Sequence, residues 1–222
     1  YSVAQDWSLP HYEKMAESNA ELIKNYLNAH QLLRESIGSE FKDIAIQTLT
    51  YVQNTLYDTK DKVFYASQDA DEEYYKKSKE QRKKLSKPYV DKTIFTNLNA
   101  QMISAFLRAS VVLNDKKYLE IALAALKNLY KNNIDKYKND TTKTGSVGNV
   151  SSGFIHYNSG NKNIDDKNTK KKLHSSDLDI HSGLLIDQVY MLRAILGAFQ
   201  VTQDKKYLAD AEKLFAYLKS NF

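Results

Sequence analysis

Apolar residues recur at spacings of three and four along most of the chain, in segments that come in pairs. The first segment covers residues 12–34 and the next covers 41–52, with a turn at Ser36–Ser39 between them. This spacing is typical of a helix that buries one face. Because the connection is short, the second helix must fold back on the first. The sequence therefore predicts an antiparallel helical hairpin over about 12–57.

The same pattern returns twice, over about 94–132 and 184–220, and only 2 prolines and 7 glycines interrupt the chain. The turns of these two pairs have nearly the same sequence, and their aspartates are 89 residues apart: Asn114-Asp115-Lys116-Lys117-Tyr118-Leu119 and Gln203-Asp204-Lys205-Lys206-Tyr207-Leu208. The chain therefore contains an internal repeat. Each aspartate is predicted to cap the second helix of its pair. One aromatic residue of each pair is predicted to pack its hairpin against a neighbour: Phe41, Tyr118 and Tyr207.

Two long connections, 58–92 and 134–182, join the three hairpins, and each contains a short aromatic stretch, at Val63–Ser67 and Gly153–Ser159. Connections of this length are uncommon in helix bundles, and such loops are usually either functional or disordered. The pattern predicts an all-α fold: antiparallel helical hairpins arranged as a partial (α/α) toroid, with β-like stretches in the loops between hairpins. We expect one domain over 1–222, with inner helices lining a funnel and loops around its mouth. Candidate chemistry is expected at that mouth.

Composition narrows the functional classes. The 222 residues are 42% hydrophobic and 27% charged, which is typical of globular proteins. The longest apolar run, Ile121–Leu126, is far shorter than the ~18 residues of a membrane span, so we predict no membrane segment. The net charge of +5 includes lysine-rich stretches at 76–87 and 167–172, but neither carries a recognition motif, and we predict no nucleic-acid partner.

Motifs for bound groups are missing from the sequence. There are no cysteines, so disulfides and thiolate nucleophiles are excluded. Asp69, Asp71 and Glu73 alternate as in a calcium loop, but the sixth position, which requires glycine, holds Tyr74. No phosphate loop, dinucleotide fingerprint or zinc spacing occurs. The sequence predicts neither a metal nor a cofactor.

Several blocks of sequence together resemble one protein family. They occur in order along nearly the whole chain: Tyr1-Ser2-Val3, Asp6-Trp7, Pro10-His11-Tyr12-Glu13-Lys14-Met15, Phe64-Tyr65-Ala66-Ser67-Gln68-Asp69-Ala70-Asp71, Pro88-Tyr89-Val90-Asp91-Lys92, Asn97-Leu98-Asn99-Ala100-Gln101-Met102-Ile103-Ser104-Ala105 and Leu184-Leu185-Ile186-Asp187. These blocks resemble the sequences of a bacterial and eukaryotic family in which a thioredoxin-like domain is fused to a six-hairpin, glycosidase-like toroid of the N-acylglucosamine 2-epimerase kind. The family includes the spermatogenesis-associated thioredoxin-domain protein.

The resemblance implies that this chain is part of a larger helical domain. A six-hairpin toroid has twice the helix pairs predicted here, and no Cys-x-x-Cys of a thioredoxin-like domain is present. We therefore expect the remainder of a longer chain, or a second copy forming a homodimer, to cover apolar helix faces. Where many members read Trp-Asn-Gly, this chain has Leu98-Asn99-Ala100. The resemblance also favours a cytoplasmic location.

Three residues are candidate catalytic groups: His11, Glu13 and Asp187. His11 follows Pro10 just before the first predicted helix, whose N-terminus favours a neutral imidazole, and Glu13 is expected in the first turn. A histidine and a carboxylate at the mouth are suited to proton transfer on a sugar. The alternative is that His11 caps the helix and Glu13 only interacts with its dipole. Asp187 interrupts an apolar run, and a buried carboxylate there requires a partner.

Eight further residues are candidate substrate-binding groups. The aromatic ones are suited to stacking on a sugar ring, and the polar ones to hydrogen bonding, although capping and loop bonding are the alternative for the acidic and amide side chains. They are Trp7, Tyr65, Asp69, Asp71, Asp91, Asn99, His156 and Tyr157.

Two functions are consistent with these residues. One is a carbohydrate-active toroid, a sugar epimerase, isomerase or glycosidase-like enzyme that uses histidine and acidic side chains as acid and base. The other is a noncatalytic helical scaffold that binds a saccharide or protein partner and is attached to a thioredoxin-like domain. Convergence of the candidate residues on one concave pocket would favour the enzyme.

Overall fold

The computed structural model describes residues 2, 4–8, 10–34, 36–134, 153–158 and 184–222. In that part of the chain, six helices of 17 or 18 residues form three pairs: α1 (Ala16–Leu32) with α2 (Gly38–Thr55), α5 (Thr96–Val112) with α6 (Lys116–Asn132), and α7 (Leu185–Thr202) with α8 (Lys205–Asn221). Two single-turn helices, α3 (Glu72–Tyr75) and α4 (Lys79–Arg82), lie in the first long connection.

The hairpins form two layers. Helix α5 packs against α1 on one side and α7 on the other, while α2, α6 and α8 each pack against the inner helix of their own pair. The inner helices α1, α5 and α7 therefore stand side by side, with the other three outside them. This arrangement confirms the predicted all-α fold of antiparallel hairpins in a partial toroid. No described helix is long and apolar enough to cross a membrane.

Short antiparallel strands connect the loops at the end where the inner helices begin. The strands are β1 (Lys14–Met15), β2 (Tyr57–Asp58), β3 (Val63–Phe64), β4 (Ser67–Gln68), β5 (Val90–Asp91), β6 (Ile94–Phe95) and β7 (Tyr157–Asn158). They form one three-stranded sheet in the order β1-β4-β5 and two pairs, β2-β3 and β6-β7. We call this end of the bundle the mouth.

An amide side chain at the fourth position of each inner helix ties the mouth together. Asn19, Asn99 and Gln188 all donate to the carbonyl of the residue four positions earlier. Asn99 also accepts from the backbone N–H of Phe64 at 2.8 Å and donates to its carbonyl at 2.9 Å. Gln188 holds Phe154 in the same way, at 2.8 and 2.7 Å. The internal repeat thus extends from the hairpin turns to the aromatic loops.

The repeated aspartates cap their helices as predicted. The Asp115 carboxylate accepts from the backbone N–H of Lys117 at 3.0 Å, and Asp204 accepts from that of Lys206 at 3.0 Å. Tyr118 is buried behind the first of these caps.

Replacing Asp115 by alanine is expected to destabilise the fold by about 1 kcal/mol, because it leaves a helix N-terminal donor without its side-chain acceptor. Asp204→Ala should lower stability by a similar amount, and urea denaturation of both variants measures it. Asp43→Ala is the control, because this exposed aspartate lies within α2 and caps no helix. A loss in the control equal to that in Asp115→Ala would contradict the capping role.

Apolar side chains remain exposed on the last hairpin. They include Leu185, Ile186, Val189 and Leu196 of α7 and Phe215 of α8. Their cover by further chain or by a second copy stays a prediction.

Candidate functional site

The mouth holds a histidine–aspartate pair between α5 and α7. The Nδ1 atom of His156 lies 3.1 and 3.0 Å from the two carboxylate oxygens of Asp187. The backbone N–H of Asn97 donates to Asp187 Oδ1 at 3.1 Å. Asp187 is fully buried, whereas 23% of the His156 side chain is exposed. The pair therefore has a buried anionic end and an accessible imidazole end.

The helix starts position both partners. Asp187 lies in the first turn of α7, where the helix dipole favours a carboxylate. His156 is held by its backbone, because its carbonyl accepts from the N–H of Thr96, the first residue of α5, at 2.8 Å. The hydroxyl of Thr96 donates to the carbonyl of Ile155 and accepts from Asn133 at 3.0 Å. The aromatic loop is therefore fixed at the point where α5 begins.

Burial raises the pKa of the Asp187 carboxyl group. Loss of solvent raises the pKa of Asp187 to about 6, and the charge and hydrogen bond of His156 oppose that rise. An ionised carboxylate in this position depends on its partner, because a buried charge without compensation is strongly unfavourable.

The raised pKa predicts a pH dependence of stability. The folded chain holds the Asp187 proton more tightly than the unfolded chain, whose aspartates titrate near 3.8. Stability from this group is therefore fully present below pH 3.8 and is lost as pH rises through about 6. Relative to the Asp187→Asn variant, the free energy of unfolding of the native chain should fall between pH 4 and 7. The difference in free energy of unfolding between the two proteins is measured by urea denaturation at each pH. A difference that stays constant or increases with pH would contradict the raised pKa.

The accessible nitrogen of His156 is available for chemistry. With the proton on Nδ1 donated to Asp187, Nε2 carries a lone pair, and no described residue lies within hydrogen-bond distance of it. The rings of Phe95 and Tyr157 flank the imidazole, with centroids at 5.3 and 6.2 Å. An imidazole that is oriented by a carboxylate, and whose second nitrogen is bonded to no described residue, is the arrangement of a general base.

The other predicted catalytic residues form a separate group. His11 Nε2 lies 3.3 Å from Glu13, and its Nδ1 lies 3.5 Å from Glu72. The prediction that Glu13 belongs to the first helical turn is wrong, because α1 begins only at Ala16. The residues between them form strand β1, which pairs with β4.

Four predicted binding residues have backbone partners. Asp69 accepts from the N–H of Ala70, and Asp71 caps α3 by accepting from Tyr74. Asp91 accepts from the N–H and hydroxyl of Thr93. Asn99 is fully buried and holds Phe64. These contacts correspond to the capping and loop-bonding alternative.

The predicted stacking residues lie apart. Trp7 is 73% exposed, and Tyr65 donates its hydroxyl to Asp58 at 2.6 Å. Tyr157 contacts Phe95 and His156 at the pair. The structure thus unites three predicted residues, His156, Tyr157 and Asp187. The lysine-rich stretch 167–172 and most of the second connection lie outside the described residues.

A cavity of about 620 Å³ opens between the three inner helices, toward their C-terminal halves. Its lining includes Lys24 of α1, Ser104 and Arg108 of α5, and Arg193 and Gln200 of α7. None of these residues was predicted from the sequence. Their positions in the sequence could have indicated the cavity, because polar residues on an inner helix of a toroid face either the core or the lumen.

The fold defined by these helices is that of α/α toroids, and known structures share it. A cellobiose 2-epimerase from Spirochaeta thermophila matches 95% of this chain with a TM-score of 0.66 at 14% identity, over 44% of its own chain. A sugar epimerase from a ruminal bacterium matches 96% with a TM-score of 0.66 at 16% identity, over 46% of its chain. A family 76 glycoside hydrolase (mannosidase) from Bacteroides thetaiotaomicron matches 91% with a TM-score of 0.59 at 16% identity, over 42% of its chain.

Comparison of the sequence with known proteins does not assign this chain to a family. No family model matches the chain. A stretch of 71 residues is 35% identical to an uncharacterized protein of Caenorhabditis elegans. This stretch is 32% of the present chain and 9% of that protein. The chain spans less than half the length of each of these relatives.

Proposed function

We propose that this chain is a carbohydrate-active toroid domain that moves a proton at the carbon beside the carbonyl of a sugar, as epimerases and isomerases do. His156 Nε2 is the acid or base that exchanges the proton. Asp187 is a positioning residue that holds the tautomer and stabilises the imidazolium. The observation that carries this proposal is the buried Asp187 carboxylate behind an imidazole whose far nitrogen has no partner among the described residues.

The geometry favours proton transfer over glycoside hydrolysis. Hydrolysis uses two carboxyl groups that flank the scissile bond, one as acid and one as base or nucleophile. The Asp187 carboxylate is fully buried and bonded to His156 and Asn97, so it does not reach a glycosidic oxygen. The imidazole is the part of the pair that a sugar can contact.

The structural neighbours support a sugar as the substrate class, because two of them are sugar epimerases and one is a mannosidase. Their low sequence identity limits this support to the fold, so the substrate is part of the proposal. Attachment to a thioredoxin-like domain also stays a proposal, taken from the sequence blocks alone.

A substrate panel tests the proposal. The chain is incubated with aldoses, ketoses and β-linked disaccharides, both uncharged and as sugar phosphates and sugar carboxylates, and the products are separated by chromatography. We expect a change of configuration or carbonyl position without release of a new reducing end. Release of monosaccharides from the disaccharides would favour hydrolysis instead, and saccharide binding without any product would favour the noncatalytic scaffold.

A further inference from the structure

The cavity between the inner helices is strongly basic. Its lining contains Lys24, Arg108 and Arg193, together with the uncharged polar residues Asn28, Ser104 and Gln200, and no acidic side chain among the described residues. Three cations around one concave space raise the local concentration of anions, because low-dielectric walls concentrate the field. The lining therefore favours a negatively charged ligand.

The two arginines contact neutral side chains. Arg108 donates through Nε to Asn28 Oδ1 at 3.2 Å and through Nη2 to Asn28 at 2.9 Å and to Gln31. Arg193 lies against the ring of Tyr190, with its guanidinium carbon 5.7 Å from the centroid. Within the described ranges, neither guanidinium has a carboxylate within 4.0 Å. Neutral amides orient Arg108 without neutralising it, so its charge remains available to a ligand.

Lys24 contributes less charge. Its ammonium lies 2.5 Å from Glu21, an acidic residue one turn earlier on α1 that does not line the cavity. The net charge at the cavity therefore comes mainly from Arg108 and Arg193.

A polar stripe on α5 leads from the histidine–aspartate pair to this cavity. Asn97, Gln101 and Ser104 follow one another at spacings of four and three, which places them on one face of the helix. Gln101 is 1% exposed, and both its amide atoms lack a hydrogen-bond partner in the described structure, as does Oδ1 of Asn97. Unpaired buried amides in a native fold require an explanation. Of the three residues, Ser104 lines the cavity, and Asn97 and Gln101 would have to turn toward it to bond a hydroxylated ligand.

We infer that the cavity is the subsite for the negatively charged group of an anionic saccharide, a sugar phosphate or a sugar carboxylate, whose ring extends along the α5 stripe toward His156. The inference rests on the proposed function and specifies its substrate class. Arg193 lies six residues after Asp187, about 9 Å along the helix axis.

Calorimetric titration of the full chain at low salt tests this site with four probes: glucose 6-phosphate, glucuronate, glucose and inorganic phosphate. We expect at least one anionic sugar to bind more than 10-fold more tightly than both glucose and inorganic phosphate, because a charge-assisted hydrogen bond adds to the ring contacts. The preference between phosphate and carboxylate identifies the group. Glucose binding as tightly as both anionic sugars, phosphate binding as tightly as either, or no binding at all would overturn the inference.

Arg193→Gln is expected to weaken binding of the preferred anionic sugar by about 10- to 100-fold. It is a cleaner variant than Arg108→Gln, because Arg108 also links α5 to α1 through Asn28. Lys127→Gln is the matched control, since it removes one positive charge from an exposed position on α6 outside the cavity. Equal weakening in the control would overturn the site in favour of a general charge effect.

The inference and the proposed function fail separately. If turnover requires His156 but glucose and its anionic derivatives bind alike, only the anion subsite is wrong. If Arg193→Gln selectively weakens binding of the anionic sugar but His156→Gln keeps full turnover, the subsite stands and the proton-transfer role of His156 is wrong.

Discussion

Replacing His156 by glutamine is expected to lower turnover of the saccharide substrate by about 10²- to 10⁴-fold, the usual contribution of a general acid or base. Glutamine retains a side-chain hydrogen-bond donor toward Asp187 but has no group that titrates near neutral pH. Substrate affinity should change little, because the lost interaction belongs to the transition state. Initial rates over a range of substrate concentrations separate the two effects.

His30→Gln is the matched control for this variant. His30 is half-buried at the first hairpin turn, where its Nδ1 lies 2.8 Å from the carbonyl of Gly38, and it belongs to no candidate site. Its replacement should leave turnover within about twofold once the melting temperature shows that the fold is intact. A large loss in His11→Gln with none in His156→Gln would instead assign the base to His11.

Replacing Asn99 by alanine is expected to destabilise the fold by about 2–4 kcal/mol. The substitution leaves the N–H and carbonyl of Phe64 without their amide partner, and each buried unsatisfied group costs about 1–3 kcal/mol. Gln188→Ala should have a comparable effect, because Gln188 holds Phe154 in the same way. Urea denaturation with an unchanged m-value would attribute the loss to stability alone.

Asn25→Ala provides the control for the amide variants. Asn25 is an exposed residue within α1, so its loss should change stability by no more than about 0.5 kcal/mol. An equally small effect of Asn99→Ala would show that the amide contacts do not hold the aromatic loop in place.

The helices were predictable from the sequence because their information is local. Apolar spacing, the repeated turn and the caps of Asp115 and Asp204 depend on residues within a few positions of one another. The start of α1 was not predictable in this way. Lys14 and Met15 look like the first turn of a helix, but they pair as a strand with Ser67 and Gln68, some fifty residues later.

The site was predictable only in part for the same reason. The apolar run before Asp187 indicated that this carboxylate needs a partner, and His156 was noted in the aromatic loop. Their union depends on a contact across 31 residues of sequence, which no local pattern reveals. Arg108 and Arg193 resemble ordinary surface cations in the sequence, and only the packing of the inner helices brings them to one cavity.

The proposed role of His156 is to exchange a proton with a sugar carbon. The most direct measurement is the proton NMR spectrum of the substrate incubated with enzyme in D₂O. We predict that the native chain replaces the hydrogen beside the carbonyl with deuterium, and that His156→Gln does so at least 10²-fold more slowly. Turnover without deuterium incorporation, or equal incorporation by the variant, would contradict the claim.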